Sequence, residues 1–169
     1  KPGAGSQETV LGNVGWHQDY AYWNCTTTSN MTTAWLALQD TDLNNGGMRS
    51  IVGSHKWGLV EEASTFTEQD LDGLRDRYIG RTGGEWIDEP CVLKAGQVSF
   101  HHALCFHGSG ANRTTAPRLS IIGHYMPGDC GFRANGCYHS NVGLLGPRPC
   151  DGQPYDNDCF PLVYPTPVS

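Results

Sequence analysis

Four residues combine type and spacing in a way that could do chemistry: His17, Asp19, His107 and Arg118. In an extended segment alternate side chains share a face, so within His17-Gln18-Asp19 the imidazole and the carboxylate point one way and Gln18 the other. Those two side chains are two-thirds of a facial triad, the ligand set that leaves the rest of an iron(II) shell open to oxygen chemistry. Taken alone, H-x-D is a surface pair in most sequences that contain it. A third ligand has to come from a distant strand, and His107 lies 90 positions on, at the end of VSFHHALCFH. Period two groups His101, Ala103, Cys105 and His107 on one face, and Arg118, Ser120 and Ile122 on one face of the next strand. The planar guanidinium of Arg118 could take a ligand carboxylate with two parallel hydrogen bonds, or it could pair with a structural Asp or Glu.

The elements that must position these residues read as short strands. Val14 to Asp19 is extended, residues 24–30 are a polar loop, and Thr32 to Gln39 is a buried strand without clean alternation. Asn44-Asn45-Gly46-Gly47 is a turn signal, and Met48 to Val52 returns from it, which predicts a hairpin. Between Thr65 and Tyr78 the period changes to that of a helix. Thr65 with Glu68, or Thr67 with Asp70, offers a capping box, and Leu71, Leu74 and Tyr78 fall on one face. Glu85 to Leu93, Val98 to His107 and Arg118 to Tyr125 complete the strands. Past Pro127 the pattern dissolves.

With 169 residues, the chain has room for one core and not for two. Its 22 glycines and 10 prolines favour a turn-rich β architecture, a sandwich or jelly roll with one helical insert. A net charge of -6 without a basic run argues against nucleic acid as a partner, and no apolar stretch is long enough to span a membrane. The opening Lys1-Pro2-Gly3-Ala4-Gly5-Ser6 reads as an internal loop without an initiating Met, so a fragment is expected. Four of the seven cysteines (Cys130, Cys137, Cys150 and Cys159) crowd the last forty residues. They predict two disulfide staples in an irregular tail, hence an oxidising compartment. Sequons at Asn24, Asn30 and Asn112 agree with a secreted or luminal glycoprotein; an intracellular chain is the alternative.

Three blocks, HQD, TTAWLALQDTDLNNGGMRSIVGSHKWG and FHHALCFHGSGANRTTAPRLS, resemble in order and spacing those of the phytanoyl-CoA dioxygenase (PhyH) family of Fe(II)/2-oxoglutarate-dependent oxygenases. The resemblance implies a double-stranded β-helix. It implies that His17, Asp19 and His107 bind Fe(II), and that Arg118, eleven positions after the last His, holds the distal carboxylate of 2-oxoglutarate. It assigns Ser109 and Trp35 to the co-substrate site as well. It covers residues 1–127 and leaves 128–169 as a Cys/Pro/Gly-rich extension without a family parallel. The family's N-terminal part, with a co-substrate Lys, has no counterpart, so another chain or segment could supply those strands.

Asn112 falls in the stretch that shapes a turn. His55, His101, His102, His124 and His139 are expected to be structural or exposed. Trp16, Tyr20, Tyr22 and Trp23 are expected to be core packing or a substrate wall. The implied activity is hydroxylation of a C–H bond of a small-molecule or peptide substrate, with release of succinate and CO₂. Related halogenases lack the carboxylate that Asp19 supplies. The rival from another class is a secreted structural or assembly module that reuses the fold with an idle metal site, since fold alone does not fix function.

Overall fold

The computed structural model describes residues 1–4, 12–137 and 139–164. Seven strands, β1 (Val14–His17), β2 (Thr32–Ala37), β3 (Arg49–Ile51), β4 (Asp88–Pro90), β5 (Val98–His102), β6 (His107–Ser109) and β7 (Ser120–Tyr125), form two sheets. One has the order β1-β6-β3-β4 and the other β5-β2-β7. Every pairing is antiparallel. Two facing antiparallel sheets of short strands are the jelly-roll architecture the composition points to.

The helical insert is α2 (Leu71–Thr82), and its start differs from both expected capping boxes. The Asp70 side chain accepts from the Gly73 amide, and the helix ends at Gly83 in the left-handed conformation. Leu74 and Tyr78 face inward as their spacing predicts, joining Trp16, Ile51 and Phe106 in one core cluster. The helix thereby covers the outer side of the four-stranded sheet and leaves its other side to the site. Gly108 permits this close packing, because a Cβ there would lie 2.9 Å from the Val14 carbonyl oxygen and 3.2 Å from the Trp16 ring.

Three sequence expectations change. β2 and β3 are not a hairpin: β2 pairs with β5 and β7, while β3 pairs with β4 and β6. The turn around Gly46, whose φ is +74°, carries the chain from one sheet to the other. Val98 to His107 is not one strand either. Residues 103–106 form a turn, so β5 and β6 belong to different sheets and the period-two grouping does not run through. β2 does alternate, with Thr33, Trp35 and Ala37 buried and their neighbours partly exposed.

The C-terminal segment packs onto the loop that follows α1 (Tyr20–Trp23). The Thr27 amide donates to the Gly131 carbonyl and the Arg133 amide to the Cys25 carbonyl, at 2.8 and 2.7 Å. A 3₁₀ turn spans Ser140–Leu145. All seven cysteines are free thiols, so the disulfide staples expected from the sequence are absent. Backbone hydrogen bonds hold the segment instead: Cys130 is buried, whereas Cys150 and Cys159 are exposed. Among the described residues no helix is long and apolar enough to cross a membrane.

Candidate metal and co-substrate site

The pairing of β1 with β6 sets His17 directly across from His107, so both imidazoles rise from adjacent backbone positions. Their ring centroids are 4.2 Å apart. Asp19 reaches them differently from the sequence expectation. It is not in an extended segment but at the start of α1, with helical φ and ψ of -55° and -39°. The turn nevertheless brings its Oδ1 to 3.8 Å from His17 Nε2 and 3.6 Å from His107 Nε2. One donor atom from each residue lies within 4.8 Å of the others, and all three side chains are buried. Gln18 points away, as alternation requires: its amide donates to the carbonyls of Gly58 and Leu104, and its Oε1 accepts from the Val60 amide.

Hydrogen bonds fix the orientation of each donor. His17 Nδ1 lies 2.7 Å from the Gly15 carbonyl and His107 Nδ1 3.1 Å from that of Cys105. A ring nitrogen that donates to a carbonyl leaves the other with its lone pair free, so both Nε2 atoms can face a metal. Asp19 Oδ2 accepts from the Thr33 hydroxyl at 2.7 Å and lies 3.3 Å from His101 Nε2, which leaves Oδ1 for the ion. Burial alone would raise the Asp19 carboxyl. The surrounding His107 and His101 and the Thr33 hydrogen bond outweigh it, and hold the group well below the usual carboxylate range. Burial pushes the two imidazoles the other way: His17 is lowered, and His107 is lowered well below an ordinary histidine. These directions favour imidazoles that give up their protons readily and a carboxylate that ionises readily, the protonation that a divalent ion needs.

On the same face of β6, two residues beyond His107, Ser109 accepts from Lys1 Nζ at 2.8 Å. The Lys1 backbone nitrogen donates to the Arg118 carbonyl and the Arg118 amide to the Lys1 carbonyl, so Lys1 ties the end of β6 to Arg118. The Arg118 guanidinium sits 5.0 Å over the Trp35 ring and donates to the Ser120 hydroxyl and the Gly46 carbonyl. Its Nε is buried and has no hydrogen-bond partner among the described residues. Among the described residues neither Lys1 nor Arg118 pairs with a carboxylate. Burial and the nearby Arg118 push the Lys1 ammonium down to about 8. Two cations close together, without an acid between them, suit an anionic ligand.

The residues singled out from sequence thus sit as two sets, His17/Asp19/His107 and Arg118/Trp35/Ser109. Four neighbours escaped the sequence reading: Thr33, His101, His124 and Lys1. Parity with His107 was a signal for His101, but its contact to Asp19 needed the fold. His124 lies 3.0 Å from the Thr33 hydroxyl. Lys1 supplies a cation where no co-substrate Lys was expected. Asn112 shapes its turn as read, donating to the Ala116 carbonyl while its Oδ1 accepts from Thr114. Asn24 accepts from the Cys137 amide, which leaves Asn30 as the exposed sequon of the three. Trp16 and Tyr20 are core residues.

Comparison with known proteins follows the same lines. The family model described as "Phytanoyl-CoA dioxygenase (PhyH)" matches residues 4–120. The peroxisomal phytanoyl-CoA dioxygenase of Rattus norvegicus is 32% identical over 119 residues, which are 69% of this chain and 34% of that protein. A probable alpha-ketoglutarate-dependent hypophosphite dioxygenase of Stutzerimonas stutzeri is 30% identical over 120 residues, 69% of this chain and 40% of its own. The chain therefore spans well under half the length of these relatives. Among solved structures it is similar to the epimerase SnoN in complex with Fe3+, alpha ketoglutarate and nogalamycin RO. That likeness has 27% identity and a TM-score of 0.67, over 92% of this chain and 59% of that one. This coverage exceeds what residues 1–127 alone could supply, so the structural likeness extends into the C-terminal segment that the sequence left without a parallel. The carbocyclase SnoK from nogalamycin biosynthesis gives the same TM-score over 89% of this chain and 55% of its own. By this match the chain belongs to the phytanoyl-CoA dioxygenase family, whose cofactors are iron and 2-oxoglutarate.

Proposed function

We propose that this chain is the catalytic part of an Fe(II)/2-oxoglutarate-dependent dioxygenase that hydroxylates an unactivated C–H bond of an organic substrate. One observation carries the reading: two buried imidazole Nε2 atoms and one carboxylate oxygen converge to within 4.8 Å of one another, while hydrogen bonds to the remaining polar atoms of those side chains hold that orientation. The donor set suits a divalent iron. Arg118 Nε without a partner and Lys1 without a carboxylate, among the described residues, suit the distal carboxylate of 2-oxoglutarate. Bound together, iron and 2-oxoglutarate supply the oxidising chemistry, consuming O₂ and releasing succinate and CO₂.

The chain's own residues bind, orient and shield. His17 and His107 offer neutral nitrogens, Asp19 a carboxylate anchored by Thr33, and Arg118 a cation steadied against Trp35. Burial of all six keeps bulk water away. Asp19 fills the position that a halide would need, which favours hydroxylation over halogenation. The substrate is a small molecule or a peptide.

The whole enzyme requires cover for the outer face of the three-stranded sheet, where Phe100 is 68% and Ile121 57% exposed. Another segment or chain over this face accounts for such apolar exposure. The exposed Asn30 sequon is the remaining support for a secreted or luminal placement, and a mass loss on glycosidase treatment of protein from a secretory host tests it.

Succinate formation from 2-oxoglutarate with Fe(II) and O₂ tests the activity. Wild type is expected to turn over slowly without substrate, and Asp19→Ala not at all. Equal succinate from both removes the proposal in favour of a structural module with an idle site.

A further inference from the structure

A cavity of about 520 Å³ lies between the C-terminal segment and the loop after α1. Trp23 and Met31 form one wall, Leu144 and Phe160 the facing one, and His124 and Asn141 are among its polar groups. Among the described residues no Lys, Arg, Asp or Glu lines it. The volume falls in the range of pockets for drug-sized ligands, about 300–1,000 Å³, and so does the pattern of apolar walls with a few polar groups.

One wall of the cavity is linked by hydrogen bonds to the proposed metal centre, although His17, Asp19 and His107 do not themselves line it. His124 is on its wall, its ring 4.3 Å from that of Trp23. Through Nδ1 it contacts the Thr33 hydroxyl, which in turn donates to Asp19. Two hydrogen bonds therefore separate the cavity wall from the candidate metal ligand. The far wall belongs to residues 139–160, outside the 4–120 stretch that the family model matches.

We infer that this cavity is the substrate chamber, that it takes an uncharged organic molecule with an aromatic or otherwise apolar body, and that the C-terminal segment sets its selectivity. The absence of a cation is the deciding feature. A phosphate, sulfonate or carboxylate brought here would lose its hydration with no guanidinium or ammonium to replace it. Neutral groups on the ligand would find His124, His139, Asn141 and Thr26 as partners. The role as substrate chamber rests on the proposed metal centre; the existence and selectivity of the chamber do not.

A matched pair of dyes tests the inference: N-phenyl-1-naphthylamine, which is neutral, and 8-anilinonaphthalene-1-sulfonate, which adds one sulfonate to a similar frame. The neutral dye is expected to bind with enhanced fluorescence, and the sulfonate on the order of tenfold or more weakly. Leu144→Asp, which puts a carboxylate on the wall, is expected to weaken the neutral dye by about tenfold or more. Val92→Asp, exposed and not among the residues that line the cavity, should leave binding unchanged, which separates a local effect from misfolding. His107→Ala should also keep the dye. In wild type loaded anaerobically with Fe(II) and 2-oxoglutarate, the dye should shift the visible absorption. Equal binding of the two dyes, or of the neutral dye to wild type and Leu144→Asp, overturns the inferred chamber and leaves the metal reading intact. Dye binding without any effect on the loaded centre overturns the chamber's role as substrate site.

Discussion

The surroundings of Asp19 and the C-terminal segment are held by different means. Around Asp19 the order resides in side chains: Thr33 and His101 fix one oxygen, and backbone carbonyls fix each imidazole, so each residue's identity matters. Between residues 130 and 160 backbone bonds carry much of the order, and side chains such as Thr27, Asn24 and Tyr155 add bonds between the segment and the loop after α1. Amides and carbonyls bond to the loop at 24–28, the thiols stay free, and Cys150 and Cys159 are exposed. The first kind of order depends on particular side chains, whereas the backbone bonds of the second can be made by nearly every residue type. The proposed metal centre rests on the first and the far wall of the proposed chamber on the second.

The largest expected effect sets the core beneath the site against the core of the segment. Phe106 is fully buried beside His107 and touches Tyr78, Trp57 and Trp86, so Phe106→Ala should cost about 3–5 kcal/mol. Leu145→Ala, in the 3₁₀ turn, should cost about 2 kcal/mol or less, since its surroundings can collapse. Urea unfolding of both variants checks this, and equal losses would erase the contrast.

Next in size is Arg118→Met. Removing a buried fork that offers two charge-assisted hydrogen bonds should weaken 2-oxoglutarate by about a hundredfold, read by calorimetry on metal-loaded protein. Thr33→Val should lower Co(II) affinity by about 10–100-fold, the usual cost of losing an outer hydrogen bond to a metal ligand. No comparable loss is expected from Cys150→Ser in the segment.

The smallest effect is a pH dependence. Lys1, pushed down to about 8 by burial and by Arg118, is charged below that pH and neutral above it. Binding of 2-oxoglutarate should therefore weaken as pH rises through about 8. Without ligand the sign reverses. Between about 8 and the ordinary lysine value of 10.5 the unfolded chain keeps the proton that the fold has lost, so stability rises with pH. Lys1→Met should remove both trends.

The same contrast explains what could be read from sequence. His17, Asp19, His107 and Arg118 could be singled out because few residue types offer metal-ligand or carboxylate-binding chemistry, whereas Ser109 and Trp35 came from the family resemblance alone. Asp19 reaches its neighbours from the start of α1, which spacing in an extended segment does not foresee. Leu74 and Tyr78 were legible from helical period. Illegible were the break at 103–106, which moved His107 to another sheet, and the sheet switch at Gly46; both depend on pairings between strands far apart in the chain. His101 and Lys1 gained their contacts only by that route. The four cysteines misled, because crowding in a proline-rich stretch resembles a disulfide framework while backbone hydrogen bonds already hold the segment.

The central claim is that His17, Asp19 and His107 grip one iron ion beside 2-oxoglutarate. Anaerobic addition of Fe(II) and 2-oxoglutarate should give wild type a visible metal-to-ligand charge-transfer band, and His107→Ala none. A wild type without the band, or a His107→Ala variant that keeps it, would contradict the account.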